Sequence, residues 1–277
     1  MKVVALHIYP VKSCHGLTLD EAEVTPRGFV HDRRWMIVDD KGQFVTQREY
    51  PRLAQLHVAL ETDGINFSAT EYPSLRVPFP GPLAPQHNVT VWESQLSVPG
   101  AGSVADAWLS TYLGTSVHLV YLPDDITRPC TSSKAGPGDE VSFADGFAYL
   151  VTSQASLADL NRRMGEALPM DRFRANIVVD GELPWDEDGW HDVTIGTVAF
   201  ELLKPCARCK ITTTDQETGE VGREPLATLR RFRFNPEKKG LMFGVNPSPR
   251  GRGILRVGDD VTITSRHTPP EFVVREA

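Results

Sequence analysis

The sequence predicts an α+β fold that is predominantly β. Short runs in which apolar and polar residues alternate occur along the whole chain, and this alternation is typical of strands with one buried face. Glycine, proline, aspartate and asparagine separate these runs, as expected for tight turns. The clearest predicted strands are 3–9, Trp35–Val38, 89–91 and Ile177–Val179.

Helical periodicity is confined to three segments, which are 105–113, 156–164 and 225–231. In the second segment Leu157, Leu160 and Met164 recur at helical spacing. Ser156 comes directly before them and is the candidate N-cap, because a serine hydroxyl can accept a hydrogen bond from a free N–H of the first turn. We expect this segment to be a packing helix.

Two irregular stretches suggest how the chain is divided. Between Pro73 and Pro99 prolines are dense and charges sparse, which is typical of loops linking edge strands. The stretch 128–145 shows no periodicity and contains several serines, glycines and a proline. We therefore expect a boundary near residue 120, with a smaller N-terminal β module over 1–120 and a larger domain over 121–277.

The composition excludes several classes of partner. The 277 residues carry a formal net charge of -7, whereas a nucleic-acid-binding protein needs a concentrated basic surface. No run of about 18 apolar residues occurs, so we expect no membrane-spanning helix. The N-terminus enters a strand-like alternation directly, without the basic start and apolar run of a secretory signal, which predicts a cytoplasmic protein.

Cys206 and Cys209 form a CxxC motif, and with four cysteines in all the chain has too few for a disulfide framework. A zinc site would need a second ligand pair, and a redox dithiol would normally begin a helix, whereas a β-branched run follows here. A structural cysteine pair is the remaining alternative. Lys204, Arg208 and Lys210 flank the motif, and positive charge favours the thiolate that a soft metal site prefers.

The segments around this motif resemble a known family. Cys206–Cys209, with Thr212 to Asp215, Thr218-Gly219 and Arg223 to Leu226 after it, resembles the core of the molybdenum cofactor sulfurase C-terminal (MOSC) domain. The resemblance also covers Tyr9 to Cys14, Asp32 to Trp35, Phe173 to Ile177 and Phe243 to Asn246. These segments follow the order of the family's N-terminal β-barrel module and MOSC domain. The layout is most similar to the amidoxime-reducing branch, whose members reduce N-hydroxylated compounds.

The resemblance implies a MOSC β-barrel with a smaller N-terminal β module and a molybdenum–molybdopterin cofactor between them. It implies that Cys209 is the metal ligand and the catalytic residue, while Cys206 has the weaker claim. Strand 3–9 would join the larger barrel, since Lys12 must reach the same pocket. The other cofactor-binding residues that it implies are Lys12, Ser13, Arg33, Thr152, Ser153, Arg174, Asn176 and Asn246.

The residue types agree with this assignment. Guanidinium groups bind phosphate through two parallel hydrogen bonds, a lysine adds a point charge, and an asparagine offers a donor and an acceptor to a heterocycle. An exposed arginine pair, a solvated lysine and a strand-end asparagine are the alternative interpretations. Ala207 departs from the family pattern, because the animal relatives carry a small hydroxyl residue at this position.

The implied activity is a two-electron removal of oxygen, at molybdenum, from a small N-hydroxylated or N-oxide substrate. Asp215 and residues 186–188 are candidate proton donors, and loops 47–52 and 128–139 are expected to set specificity. No cysteine follows Cys209, so we expect electrons to come from a separate flavin or iron–sulfur protein.

Two alternatives belong to other functional classes. The first is a cofactor carrier or sulfur-transfer accessory protein without N-reductase turnover. Sulfurases of this fold carry a pyridoxal-phosphate domain ahead of MOSC, and we expect no room for one in 277 residues. The second is a non-catalytic β-rich binding protein whose CxxC is structural or holds zinc.

Overall fold

The computed structural model describes residues 1–274, in which short strands predominate and three α-helices are present. The prediction of a predominantly β α+β fold is confirmed. None of the helices in this range combines the length and apolar character needed to cross a bilayer.

The strands in chain order are β1 (Val3–Ile8), β2 (Leu17–Leu19), β3 (Glu21–Thr25), β4 (Gly28–Phe29), β5 (Trp35–Val38), β6 (His57–Glu61), β7 (Gly64–Ala69), β8 (Tyr72–Pro78), β9 (Gln86–Val91), β10 (Ser94–Pro99), β11 (His118–Tyr121), β12 (Val151–Ser153), β13 (Ile177–Val179), β14 (Asp192–Ile195), β15 (Val198–Arg208), β16 (Phe234–Asn235), β17 (Gly240–Pro249), β18 (Gly253–Arg256) and β19 (Val261–Ile263). The α-helices are α1 (Ser103–Leu113), α2 (Gln154–Met164) and α3 (Leu226–Phe232). Short 3-10 helices cover Pro51–Gln55, Met170–Phe173, Asp186–Gly189 and Lys210–Thr213.

The largest sheet has nine strands in the order β19-β14-β15-β17-β12-β13-β1-β2, with β16 paired to β17. In this sheet β1 runs antiparallel to β13, and Leu6 lies opposite Ile177. Alternate apolar side chains of these strands meet in one core that includes Leu6, Ile177, Phe200 and Val245. The first strand of the chain therefore leads from the large sheet directly into the loop that carries Lys12.

A second core lies in the N-terminal half. It contains Trp35 of β5, Phe67 of β7 and Leu109 of α1. Strand β5 pairs with β11, so the proposed division near residue 120 falls within a strand of this half. Strands β3 and β18 pair with each other, as β1 does with β13, so the first strands of the chain belong with the C-terminal half.

The N-cap of α2 is Ser153, so the prediction of Ser156 was wrong. Ser153 has an extended backbone, and its Oγ accepts a 3.0 Å hydrogen bond from the backbone N–H of Ser156. This is the ordinary bond between an N-cap and the third helical residue. The hydroxyl of Ser156 instead donates to Glu187 Oε2 at 2.8 Å.

Glu187 is a buried acid beneath α2. Its Oε1 has no hydrogen-bond partner among the described residues, and burial raises its pKa to about 7. The folded chain therefore binds this proton more tightly than the unfolded chain, whose glutamate has the ordinary pKa of 4.5. The contribution of Glu187 to stability is consequently lost as the pH rises from about 4.5 to about 7.

We expect Glu187→Gln to remove this pH dependence, because the amide stays neutral. The variant should match the parent near pH 4.5 and exceed its free energy of unfolding at pH 8 by roughly 2 to 3 kcal/mol. Urea denaturation at the two pH values measures the difference. An unchanged difference between variant and parent at both pH values would contradict the assignment.

Candidate functional site

A cleft of about 290 Å³ lies where the loop after β1, the loop before β12 and the end of β15 meet. Five basic side chains line it, whereas Asp145 is the one acidic residue in the lining. The cleft is therefore positively charged. Its lining residues are Lys12, Ser13, Arg33, Ala144, Asp145, Gly146, Phe147, Tyr149, Leu150, Phe173, Arg174, Asn176, Lys204, Cys206, Ala207, Arg208, Cys209, Ile211 and Asn246.

Lys12 and Asp145 form an ion pair at this cleft. Lys12 is almost fully buried, and its Nζ donates to the Asp145 carboxylate and, at 2.8 Å, to the carbonyl of Phe143. Burial lowers the pKa of Lys12, while Asp145 opposes the shift. Burial would raise the pKa of Asp145, but Lys12 and then Arg48 outweigh it and hold this pKa well below its ordinary value. Asp145 is therefore a fixed negative charge at neutral pH.

Two arginines enclose the ring of Tyr9. The guanidinium of Arg33 lies 4.5 Å from the ring centroid and that of Arg174 lies 4.1 Å from it. Both arginines have left-handed backbones, with φ of 49° and 53°. This conformation is uncommon for non-glycine residues, and it persists where the surroundings determine it. The fold thus fixes both guanidinium groups at the cleft.

Arg174 is buried and forms no ion pair with any acidic side chain of residues 1–274. Its Nη1 donates to the carbonyl of Cys14 at 2.7 Å and to Gln216 Oε1 at 3.4 Å. Its Nη2 has no hydrogen-bond partner among the described residues. Burial lowers the pKa of Arg174 to about 10, so the group stays charged at neutral pH. A buried donor of this kind is suited to an anionic group.

The two predicted asparagines already use their amides within the protein. Asn176 Nδ2 donates to the carbonyl of His7 and to Asp32 Oδ2, each at 3.1 Å, and its Oδ1 accepts from Arg33 at 3.3 Å. Asn246 Nδ2 donates to the carbonyl of Tyr149 at 2.9 Å. Ser13 lines the cleft in a left-handed conformation, with φ of 68°.

Cys206 and Cys209 both line the cleft, but their surroundings differ. Cys209 follows β15 and caps the 3-10 helix Lys210–Thr213, and its Sγ accepts a 3.6 Å hydrogen bond from Arg48 Nη2. Cys206 Sγ accepts from Arg208 Nη1 at 3.0 Å, and its side chain packs against a small apolar cluster. Within residues 1–274 no group of three or more histidine, cysteine or acidic side chains could hold a metal ion. The CxxC therefore has no third protein ligand in that range.

Two of the predicted cofactor residues, Thr152 and Ser153, do not line the cleft. Thr152 is fully buried, and its hydroxyl faces the sulfur of Met170 at 3.3 Å. Gly244, with φ of 75°, crosses so closely that a Cβ there would lie 2.7 Å from Thr152 Cγ2. Ser153 is committed to capping α2. Met170 and strand β17 thus cover Thr152, and the Ser153 hydroxyl is used at the start of α2.

The predicted proton donors also lie elsewhere. Asp215 pairs with Arg172 at 2.7 Å, Asp186 pairs with Arg266, Glu187 accepts from Ser156, and Asp188 pairs with Arg233. None of these four acids lines the cleft. A second depression of similar volume contains Asp186 and Arg266, whose charges are paired with each other, and no predicted cofactor residue.

Arg48 and Asp145 belong to the candidate site but were not predicted from the sequence. Arg48 belonged only to a loop expected to affect specificity, and its contact with Cys209 joins residues 161 positions apart. Its Nη2 also lies 3.2 Å from Asp145 Oδ2. No local pattern marks either residue, because the contacts exist only once the two halves have packed together. Ala207 also lines the cleft, and its methyl group cannot donate a hydrogen bond.

Comparison with known proteins gives matches along most of the chain. Residues 1–116 match the MOSC N-terminal beta barrel domain and residues 138–262 match the MOSC domain. Human mitochondrial amidoxime reducing component 2 is 34% identical over 275 residues, covering 94% of this chain and 82% of the relative. Mitochondrial amidoxime-reducing component 1 of Mus musculus is 35% identical, with 94% and 81% covered. The crystal structure of the YUAD protein from Bacillus subtilis covers 94% of this chain and 93% of its own, at 12% identity and a TM-score of 0.41. The chain is therefore a member of the MOSC-domain family, in which a MOSC N-terminal β-barrel domain precedes the MOSC domain.

Proposed function

We propose that this protein binds the molybdenum–molybdopterin cofactor through Cys209 and reduces small N-hydroxylated or N-oxide substrates. The observation that carries the proposal is the buried, unpartnered Nη2 of Arg174 in a basic cleft that also exposes the Cys209 thiol. Relatives named for amidoxime reduction, at 34% and 35% identity over 94% of the chain, support the reaction class.

The residues of the cleft fit such a cofactor. Arg174 would bind the phosphate through its free Nη2, with Arg33 beside it across the Tyr9 ring. Lys12 adds a buried positive charge. The side-chain amide of Asn176 is hydrogen-bonded to Arg33 and to the backbone carbonyl of His7, so we assign it the role of holding Arg33 in place.

When bound, the cofactor would supply the two-electron oxygen-atom transfer that breaks the N–O bond. Cys209 would provide the protein thiolate, and Arg48 would donate a hydrogen bond to its sulfur. The ionised Asp145 holds Arg48 and Lys12 in place, and its low pKa makes it an orienting group rather than a proton donor. The low exposure of Lys12 and Arg174 limits the water that can compete for their N–H groups.

Electrons for the reaction would come from a separate flavin or iron–sulfur protein, and the cytoplasmic location stays a prediction. A cofactor carrier that lacks turnover is the second candidate, because the same basic cleft would serve it. Turnover separates these two functions.

We expect protein from a host that makes molybdopterin to contain close to one molybdenum and one pterin per chain. It should reduce benzamidoxime with an artificial reductant, whereas protein from a matched host without the pathway should do neither. Metal analysis and product chromatography measure both results. Molybdenum without turnover would favour the carrier, and zinc alone would favour the binding protein with a structural CxxC.

A further inference from the structure

Trp92 is the one tryptophan, tyrosine or phenylalanine in the exposed class among residues 1–274, with 50% of its surface accessible. It occupies the turn between β9 and β10, in a left-handed conformation with φ of 55°. A single exposed apolar residue needs no explanation by itself. The contacts that hold Trp92 in place indicate a function.

The buried side chain of Arg128 holds the β9–β10 hairpin in place. Arg128 is 3% exposed, and its guanidinium donates to Ser94 at 3.1 Å and to the carbonyl of Val91 at 3.5 Å, on the two sides of Trp92. The same group donates to the carbonyl of Ala144 at 2.6 Å, in the loop that carries Asp145. The Arg128 side chain thus connects the β9–β10 turn to the loop that lines the cleft. A strained conformation determined in this way is typical of residues that serve a site.

The indole of Trp92 is also close to residues of the cleft. It lies close enough to the carboxylate of Asp145, which lines the cleft, to contribute to the low pKa of that group. The guanidinium of Arg48 lies 5.4 Å from the ring centroid, and its Nη2 reaches Cys209 Sγ at 3.6 Å. A single guanidinium therefore separates the exposed aromatic ring from the proposed metal ligand.

We propose that Trp92 is an aromatic platform at the mouth of the cleft that favours N-hydroxylated substrates carrying a planar aromatic group. The inference rests on the proposed function and adds the substrate class. Half of the indole surface is exposed, and Arg48 connects the ring to Cys209, so the indole offers an apolar face near the cleft onto which a flat ring can stack. An aliphatic N-hydroxylated substrate lacks the ring and gains nothing from it.

The test compares benzamidoxime with acetamidoxime, which share the reacting group and differ in the aromatic ring. Binding to the cofactor-loaded protein is measured by calorimetry without reductant, so that no turnover occurs, and steady-state kinetics follow with reductant. Trp92→Leu removes the aromatic face, and Trp92→Phe keeps a ring but loses the indole N–H. Leu83→Ala, at the exposed Leu83, is the control at a surface position outside the cleft.

We expect Trp92→Leu to raise the dissociation constant and the KM for benzamidoxime roughly 3- to 10-fold. Both constants for acetamidoxime, and kcat for both substrates, should stay within about 2-fold by the same argument. Trp92→Phe should retain most of the preference, and Leu83→Ala all of it.

If Trp92→Leu weakened the binding of both substrates equally, the platform proposal would be overturned. A parent protein that does not prefer benzamidoxime to acetamidoxime would overturn it as well. If Trp92→Leu fails to fold, the two substrates are compared with Trp92→Phe instead. Full loss of the preference for benzamidoxime in that variant would show that Trp92 acts through the indole N–H and Asp145, and would overturn the platform. Failure of the proposed function is read separately, from a parent protein that holds no molybdenum and shows no turnover.

Discussion

Cys209→Ala is expected to lose stable molybdenum binding and to lower benzamidoxime turnover by at least about 100-fold, since changes in the outer shell of a metal site alone cost about 10- to 100-fold. The proposed assignment makes Cys209 the sole protein ligand, so alanine leaves the metal with no bond to the chain. The pterin itself should remain partly bound, because Lys12, Arg33 and Arg174 are unchanged. Metal analysis, pterin fluorescence after oxidation and turnover measure the three quantities.

Cys206→Ala is the matched control for this experiment. Cys206 lines the same cleft two residues before Arg208, but its sulfur accepts from Arg208 and packs against an apolar cluster. We expect molybdenum content to stay within about 2-fold, because the change removes one weak hydrogen bond to sulfur. Full metal content in Cys209→Ala, or equal loss in both variants, would rule out Cys209 as the ligand.

Arg174→Met is expected to change cofactor retention and the stability of the empty protein in opposite directions. Arg174 is buried without an ion pair to any described carboxylate, and its Nη2 has no hydrogen-bond partner among the same residues. Its charge therefore costs free energy until an anion binds, and a methionine of similar length avoids that cost. We expect unchanged or higher stability without cofactor, and about 10- to 100-fold weaker cofactor retention.

Arg233→Met is the matched control, because Arg233 is equally buried but paired. Its guanidinium contacts Asp188 at 2.6 Å and 2.9 Å, and both side chains are 4% exposed. Removing it leaves a buried carboxylate uncompensated, which typically costs about 3 to 5 kcal/mol. Urea denaturation of cofactor-free protein compares the two variants. Equal destabilisation by both would show that Arg174 is a structural arginine.

Local patterns predicted the elements better than their ends. The β-rich class and strands such as the one containing 89–91 follow from alternation, because a half-buried strand must alternate apolar and polar side chains. Trp35–Val38 is a strand as predicted, but all four of its residues are buried. The predicted start of α2 was wrong, since Ser153 and Ser156 are both plausible N-caps when only the sequence is considered. Only the path of the chain out of β12 puts Ser153 in the extended conformation that an N-cap requires.

The candidate site shows the same division. Cys209, Lys12, Arg33 and Arg174 stand in short motifs whose order resembles the family, and the structure brings all four to one cleft. Thr152 and Ser153 were also predicted to bind the cofactor, from the resemblance alone, but both are buried and neither lines the cleft. A motif specifies a residue type and does not specify what packs over it.

The sequence by itself determined the β-rich fold and the motifs that point to a molybdenum site at Cys209. Only the tertiary structure decided that Arg48 lies beside Cys209 and Asp145 beside Lys12, that the exposed Trp92 contacts Arg48, and that Arg174 Nη2 has no hydrogen-bond partner among the described residues. The physical reason is that alternation and motifs are properties of neighbouring residues. Burial, ion pairing and the absence of a hydrogen-bond partner arise between segments far apart in the sequence, such as those of Arg48 and Cys209, which are 161 positions apart, once they have packed together.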